Sequence, residues 1–108
     1  MNKADDIVHQ PIRLKVMAAL NALPQGEHLE FTRLRAIVQA TDGNLGAHLV
    51  TLESAGYVAV AKDFVGKKPR TRIALTRAGR KAFAGHVAYL RTILDGEAAH
   101  DAIRETGS

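Results

Sequence analysis

The chain is 108 residues long, 46% hydrophobic and 24% charged, with a formal net charge of +4 and a pI near 9.8. That length and balance fit one domain with a modest hydrophobic core and exclude wholesale disorder. The absence of cysteine removes disulfides, thiolate metal sites, cysteine nucleophiles and thiol redox switches.

Aromatic residues are only 5% of the chain, so the core must be built mainly from Leu, Ile, Val and Ala, and such a core gains stability from a partner subunit. No segment reaches the length of a transmembrane helix, and the N-terminal stretch MNKADDIVHQPIRLK lacks the apolar run of a signal peptide. The expectation is a soluble, cytoplasmic protein with no membrane partner. Charge is unevenly placed. From Lys62 to Lys81 there are eight basic residues and one acidic residue, Asp63, whereas beyond Leu94 the acids Asp95, Glu97, Asp101 and Glu105 face only Arg104. A basic patch confined to one part of a domain points to a polyanion partner, with an ordinary solvated face as the plainer alternative.

In chain order, Pro11 opens a helix whose Ile12, Val16, Met17 and Leu20 recur at helical spacing, and Pro24 with Gly26 ends it. His28 to Phe31 alternates like a very short strand. Thr32 is the expected cap of a second helix starting at Arg33, with Leu34, Ile37 and Val38 inward and Arg33 and Arg35 outward. A third helix, over residues 42–55, takes its N-cap from Thr41 or Asp42, buries Leu45, Leu49 and Leu52, and ends at Gly56.

Residues 57–76 read as a β-hairpin. Val58, Val60 and Phe64 alternate on its first strand, Gly66 and Pro69 mark the turn, and Ile73 and Leu75 share a face of the second strand. Its tip carries Lys67, Lys68 and Arg70. Thr76 then caps a long helical segment over residues 77–105. There Phe83, Val87, Leu90, Ile93 and Leu94 form an apolar stripe longer than a small domain needs for its own core. Gly96 is expected to interrupt this helix, and Thr106, Gly107 and Ser108 read as a loose tail.

Residues 1–108 therefore read as a single α+β, mainly α domain. Two short helices joined tightly and followed by a basic hairpin make a winged helix-turn-helix, here with a long C-terminal dimerisation helix. Three stretches, His9 to Leu20, Thr41 to Val58 and Phe64 to Phe83, stand in the order found in a known family. On these the chain resembles the small stand-alone winged-helix transcriptional regulators related to the multiple-antibiotic-resistance (MarR-like) and arsenic-resistance repressor superfamilies. The resemblance implies a dimeric DNA-binding regulator. Its recognition helix, over residues 42–55, enters the major groove, the Gly66–Pro69 turn tips the wing, and the terminal helices form the dimer interface. The chain departs from its relatives at Gly46, where they commonly carry Ser, so the family's hydroxyl contact to DNA does not carry over.

The three leucines of the recognition helix leave Gly43, Asn44, Ala47 and Thr51 facing away and His48 on the flank, and these five are the candidate base-proximal residues. Asn44 matches adenine bidentately, Ala47 suits a thymine methyl, and His48 and Thr51 carry donors for bases or phosphates. Arg33 and Arg35 are candidate backbone anchors, and Lys67, Lys68, Arg70 and Arg72 reach phosphates or the minor groove from the wing. Arg77, Arg80 and Lys81 lie nearer the dimer helix. Phe83, Val87, Leu90, Ile93 and Leu94 are the candidate dimer interface, unless that stripe folds back over the N-terminal helix of its own chain. A helix-interior glycine costs up to about 1 kcal/mol relative to alanine. The bare front end at Gly43, Gly46 and Ala47 therefore suits close docking better than stability.

His86 and His100 are about 21 Å apart along a helix rising 1.5 Å per residue and cannot share a metal within one chain. Glu97, His100 and Asp101 are the kind of triplet that exposed helices make by chance. No metal site and no cofactor are expected. The chain has no Gly-rich phosphate loop and no nucleophile elbow, so no catalytic residues and no enzyme activity are expected. The expected function is a DNA-binding transcriptional regulator, a repressor binding a two-fold operator on double-stranded DNA as a homodimer. Its effector, if it has one, is unknown from sequence. The alternative is a winged-helix protein-interaction module without sequence-specific DNA readout.

Overall fold

The computed structural model describes the backbone of residues 5–107 and the side chains of residues 5–96, so the Glu97, His100 and Asp101 side chains lie outside the described residues. The elements run α1 (Asp6–His9), α2 (Pro11–Asn21), β1 (His28–Glu30), α3 (Phe31–Val38), α4 (Asp42–Ser54), β2 (Val58–Val65), β3 (Lys68–Leu75) and α5 (Arg77–Gly107). This is an α+β fold, mainly helical.

Short-range chemistry sets most of the boundaries. The Asp5 carboxylate caps α1 by accepting from Ile7 N–H and Val8 N–H. Gln10 caps α2, and Pro11 takes the first helical position, where a missing N–H costs nothing. Thr41, rather than Asp42, caps α4, its hydroxyl accepting from Asn44 N–H at 3.1 Å. At the far end of α4, Gly56 has φ +80° and Tyr57 N–H returns to Leu52 C=O at 3.0 Å, a Schellman closure that needs glycine.

β3 is the central strand, antiparallel to β1 on one side and β2 on the other. The register sets Leu29 and Val60 on either side of Ile73, and Val58 opposite Leu75. Period-2 alternation therefore gives the sheet one apolar face, which packs on the helices, and an outer face carrying His28, Glu30, Asp63, Arg70 and Arg72. Val8, Val16, Met17, Leu34, Leu45, Leu52 and Ile73 are all fully buried in the resulting core.

A joint at the base of the sheet holds α4, the hairpin and α5 together. The Thr76 hydroxyl accepts from Gly79 N–H at 2.9 Å and donates to Gly56 C=O at 2.6 Å. Gly79 sits so close to this joint that a Cβ there would stand 2.0 Å from Tyr57 O and 2.8 Å from Leu75 Cδ1. One turn on, the Arg80 guanidinium donates to Asn21 C=O, Asn21 Oδ1, Leu23 C=O and Gln25 Oε1, tying α5 to the end of α2.

Several expectations from the sequence are corrected. The cap of α3 is Glu30, without a side-chain hydrogen bond, and the helix begins at Phe31, so Thr32 lies inside its first turn. Ile37 does not point inward: it is 50% exposed, because Leu34 and Val38 fill the buried side of this short helix. The hairpin reverses at Gly66 and Lys67, with Gly66 at φ +64°, while Pro69 is already in β3 opposite Phe64. Phe64 itself is 70% exposed, because the wing projects past the helices that cover Val58 and Val60. Gly96 does not break α5, which continues through Thr106 and Gly107, residues expected to be a tail. One glycine lowers helix propensity by only about 1 kcal/mol, which a long helix tolerates.

Candidate nucleic-acid interface

α4 is anchored by its apolar stripe, with Leu45 and Leu52 fully buried and Leu49 nearly so. The outward side is unusually bare. Gly43, Asn44 and Ala47 are exposed, and no atom from outside the helix lies within 4 Å of a Cβ placed at Gly43 or Gly46. Neither glycine is therefore needed for packing. Val50, which the sequence reading passed over, is 64% exposed on the same side. Gly43, Ala47, Val50 and Ser54 follow one another at i, i+4, i+7 and i+11, which is the line of a single helical face.

Two of the polar candidates on α4 are engaged within the protein. His48 is half-buried, and its Nδ1 accepts from an Arg13 guanidinium nitrogen 3.1 Å away. Burial, followed by the Arg13 charge, pushes the His48 pKa below its ordinary value, so the ring is neutral with its proton on Nε2. The Thr51 hydroxyl turns back to donate to Ala47 C=O at 3.4 Å. Asn44 contributes only its backbone N–H to the cap, and its exposed side-chain amide makes no hydrogen bond among the described residues.

The cations around α4 differ in availability. On α3, Arg33 and Arg35 are both exposed, and Arg35 meets the Asp42 carboxylate at 3.1 Å, a pair too solvated to be worth much. On the outer face of the wing, Arg70 forks Asp63 through Nε at 2.9 Å and a terminal nitrogen at 2.7 Å, and Arg72 adds a third bond to the same carboxylate at 3.1 Å. The Arg70 hydrogen bond foremost holds Asp63 below the usual carboxylate range. Arg72 also donates to His28 Nε2, across from β1. Lys67 and Lys68, at the turn, are exposed and make no ion pair among the described residues. Between α4 and the wing runs an open groove lined by Phe31, Gly46, Leu49, Val50, Glu53, Val60, Lys62 and Thr71.

The candidate interface stripe on α5 emerges gradually from the core. Phe83 packs against buried residues, Val87 and Leu90 are half-buried, Ile93 is 38% exposed and Leu94 63% exposed. Near its start α5 packs on α1 and α2, where His86 is buried at 1% exposure. The sequence reading treated His86 only as a metal candidate. Its hydrogen bonds to Asp5 and His9 cross 81 and 77 residues of chain and left no local pattern to find.

A tight helix pair with an outward second helix, continued by a lysine-tipped hairpin, defines a winged helix-turn-helix of the DNA-binding class. The chain belongs to the winged helix DNA-binding domain family, which it matches over residues 12–94. It is 36% identical over 81 residues to an uncharacterised protein of Methanocaldococcus jannaschii, covering 75% of this chain and 85% of that one. Among solved structures, a transcriptional regulator homologue of Pyrococcus horikoshii is 28% identical with a TM-score of 0.74, over 83% of this chain and 86% of that chain. A PadR family transcriptional regulator of Eggerthella lenta is 26% identical with a TM-score of 0.62, over 78% of each chain. Family and fold are those of DNA-binding transcriptional regulators. Among the described residues, no helix is long and apolar enough to cross a membrane, and no three His, Asp or Glu side chains group as metal ligands.

Proposed function

We propose that the protein is a sequence-specific transcriptional regulator that binds duplex DNA as a homodimer and represses by occupying its operator. The observation that carries this reading is the bare outward face of α4 between two sources of positive charge, Arg33 and Arg35 on α3 and Lys67 and Lys68 on the wing. An α-helix stripped of large side chains can lie deep in a major groove, while flanking cations neutralise the phosphates on either side. The candidate base-proximal set is Gly43, Asn44, Ala47, His48 and Thr51. Arg70 and Arg72 support the wing through Asp63 as well as adding charge. The exposed end of the α5 stripe, at Ile93 and Leu94, favours a second copy, and a two-fold pair matches half-sites about 34 Å apart, one turn of duplex.

Titration of duplex binding against salt tests the proposal. The expected plot of log affinity against log salt falls steeply, by about 0.9 per phosphate neutralised. A slope near zero contradicts it. The second reading, a protein-interaction module, is favoured by the partly apolar groove between α4 and the wing. Reversing charge at Lys67 and Lys68 separates the two: DNA binding collapses under the first, and a partner seated in the groove is indifferent under the second.

A further inference from the structure

We infer that Val50, with Ala47 beside it on the outward line of α4, reads the C5-methyl groups of thymines in the major groove. This rests on the DNA-binding reading above and deepens it, by naming what the recognition helix discriminates.

The case begins with what the helix face does not present. Thr51 directs its hydroxyl proton to its own backbone, and His48 is tied to Arg13 on the flank. At the front of the helix Asp42 is paired with Arg35, which leaves Asn44 as the exposed polar side chain without a hydrogen bond among the described residues. What faces outward along the helix is Gly43, Ala47 and Val50, with Ser54 at its far end. A lone exposed aliphatic side chain needs no explanation on most surfaces. Here, however, Val50 is 64% exposed on the outward line of α4, at the edge of the groove beside the wing, on the face that the flanking arginines and lysines would bring against DNA. Gly46 and Ala47 clear the space around it.

In the major groove the only apolar feature that differs among the base pairs is the thymine methyl, and burying a methyl against an aliphatic side chain favours A·T over other pairs. Val50 and Ala47 lie on adjacent turns, about 4.5 Å apart along the axis, so they meet neighbouring base steps. The Cβ-less backbone at Gly43 and Gly46 lets the helix come close enough for that contact. Recognition of this kind predicts half-sites with thymine under the middle of α4 and an adenine contact for Asn44 near its start.

The test is methyl deletion on the DNA. Duplexes are selected from a randomised pool with the full-length protein, and each thymine of the selected duplex is then replaced singly by uracil, which differs only in that methyl. One or two uracil positions per half-site are expected to weaken binding about fourfold, the loss for one buried methyl group. In Val50→Ala the loss at the position facing Val50 should shrink to less than about twofold, with the salt dependence unchanged. Alanine is the stronger helix former and the site is exposed, so this variant folds. Salt-dependent binding with no uracil-sensitive position, or with the same uracil losses in Val50→Ala, overturns this inference alone. Absence of salt-dependent duplex binding overturns it together with the reading on which it rests.

Discussion

His9 Nδ1 lies 3.3 Å from Nε2 of His86, and the pair holds α1 against the long helix α5. The direction of the bond is fixed by the other side of the buried ring, where Asp5 N–H donates to His86 Nδ1 at 3.3 Å. His86 therefore carries its proton on Nε2 and gives it to His9 Nδ1. Asp5 extends the network, its carboxylate accepting the Tyr57 hydroxyl at 2.8 Å, and Tyr89 stacks on His86. One cluster thus links the N-terminal turn, the start of the wing and α5.

This cluster makes stability depend on pH with a defined sign. Burial first, and then the neighbouring His9, push the His86 pKa below its ordinary value, against a smaller opposite pull from Asp5. The folded state then binds fewer protons than the unfolded one just below the unfolded histidine pKa, so stability is full at neutral pH and declines as pH falls through about 6.5 and beyond. His48, shifted the same way, adds to the slope. Urea unfolding at pH 7.5 and 5.5 should show the lower midpoint at pH 5.5, and His86→Gln should flatten, without abolishing, the difference. An unchanged difference in that variant would assign the slope elsewhere.

Gly79→Ala should be severely destabilising. The new Cβ would stand 2.0 Å from Tyr57 O, a carbonyl that already accepts from Thr76 N–H at 3.1 Å. Neither atom is the movable end of a side chain, so the joint between wing and α5 must open. The cost should exceed about 2 kcal/mol despite the better helix propensity of alanine. Thermal and urea unfolding measure it, and a variant as stable as the parent would refute the packing argument.

Gly46→Ala is the opposite case. No atom outside the helix lies within 4 Å of its Cβ, so the fold should gain up to about 1 kcal/mol from helix propensity. Affinity for the selected duplex should nonetheless fall, because the added methyl lifts the helix from the groove. A variant both more stable and equally tight would mean that close approach is not why glycine stands there.

Leu94→Glu tests the assembly. Leu94 is 63% exposed, so a charge there leaves the folded protomer intact, whereas in a two-fold interface it brings two carboxylates into an apolar seam. Sedimentation at micromolar concentration should find a dimer for the parent chain and a monomer for the variant. A monomeric parent would contradict the dimer proposal.

Much of this fold was legible because it is written locally. The Leu45, Leu49 and Leu52 stripe, the Thr41 and Thr76 caps and Gly56 each declare an element within a few residues of themselves, and the winged arrangement follows from their order. What escaped depends on three-dimensional neighbours. Ile37 has the right spacing for the core, yet nothing covers it, and Val50 seemed an ordinary helix residue until its exposure put it in line with Gly43 and Ala47. The engagement of Arg70 and Arg72 with Asp63 needs the strand register, which a one-residue change of turn would have altered. The acid inside the basic run is thus the wing's brace.

The Thr76 joint has a consequence for how such a protein would be controlled. Thr76 and Gly56 fasten the end of α4, both strands of the wing and the first turn of α5 at one point, so those parts would turn together. In the proposed dimer, a signal received along α5 would therefore alter where each head stands and leave its shape as it is. In a symmetric pair, regulation would retune the tolerated distance between half-sites while the letters recognised within each half-site stay constant.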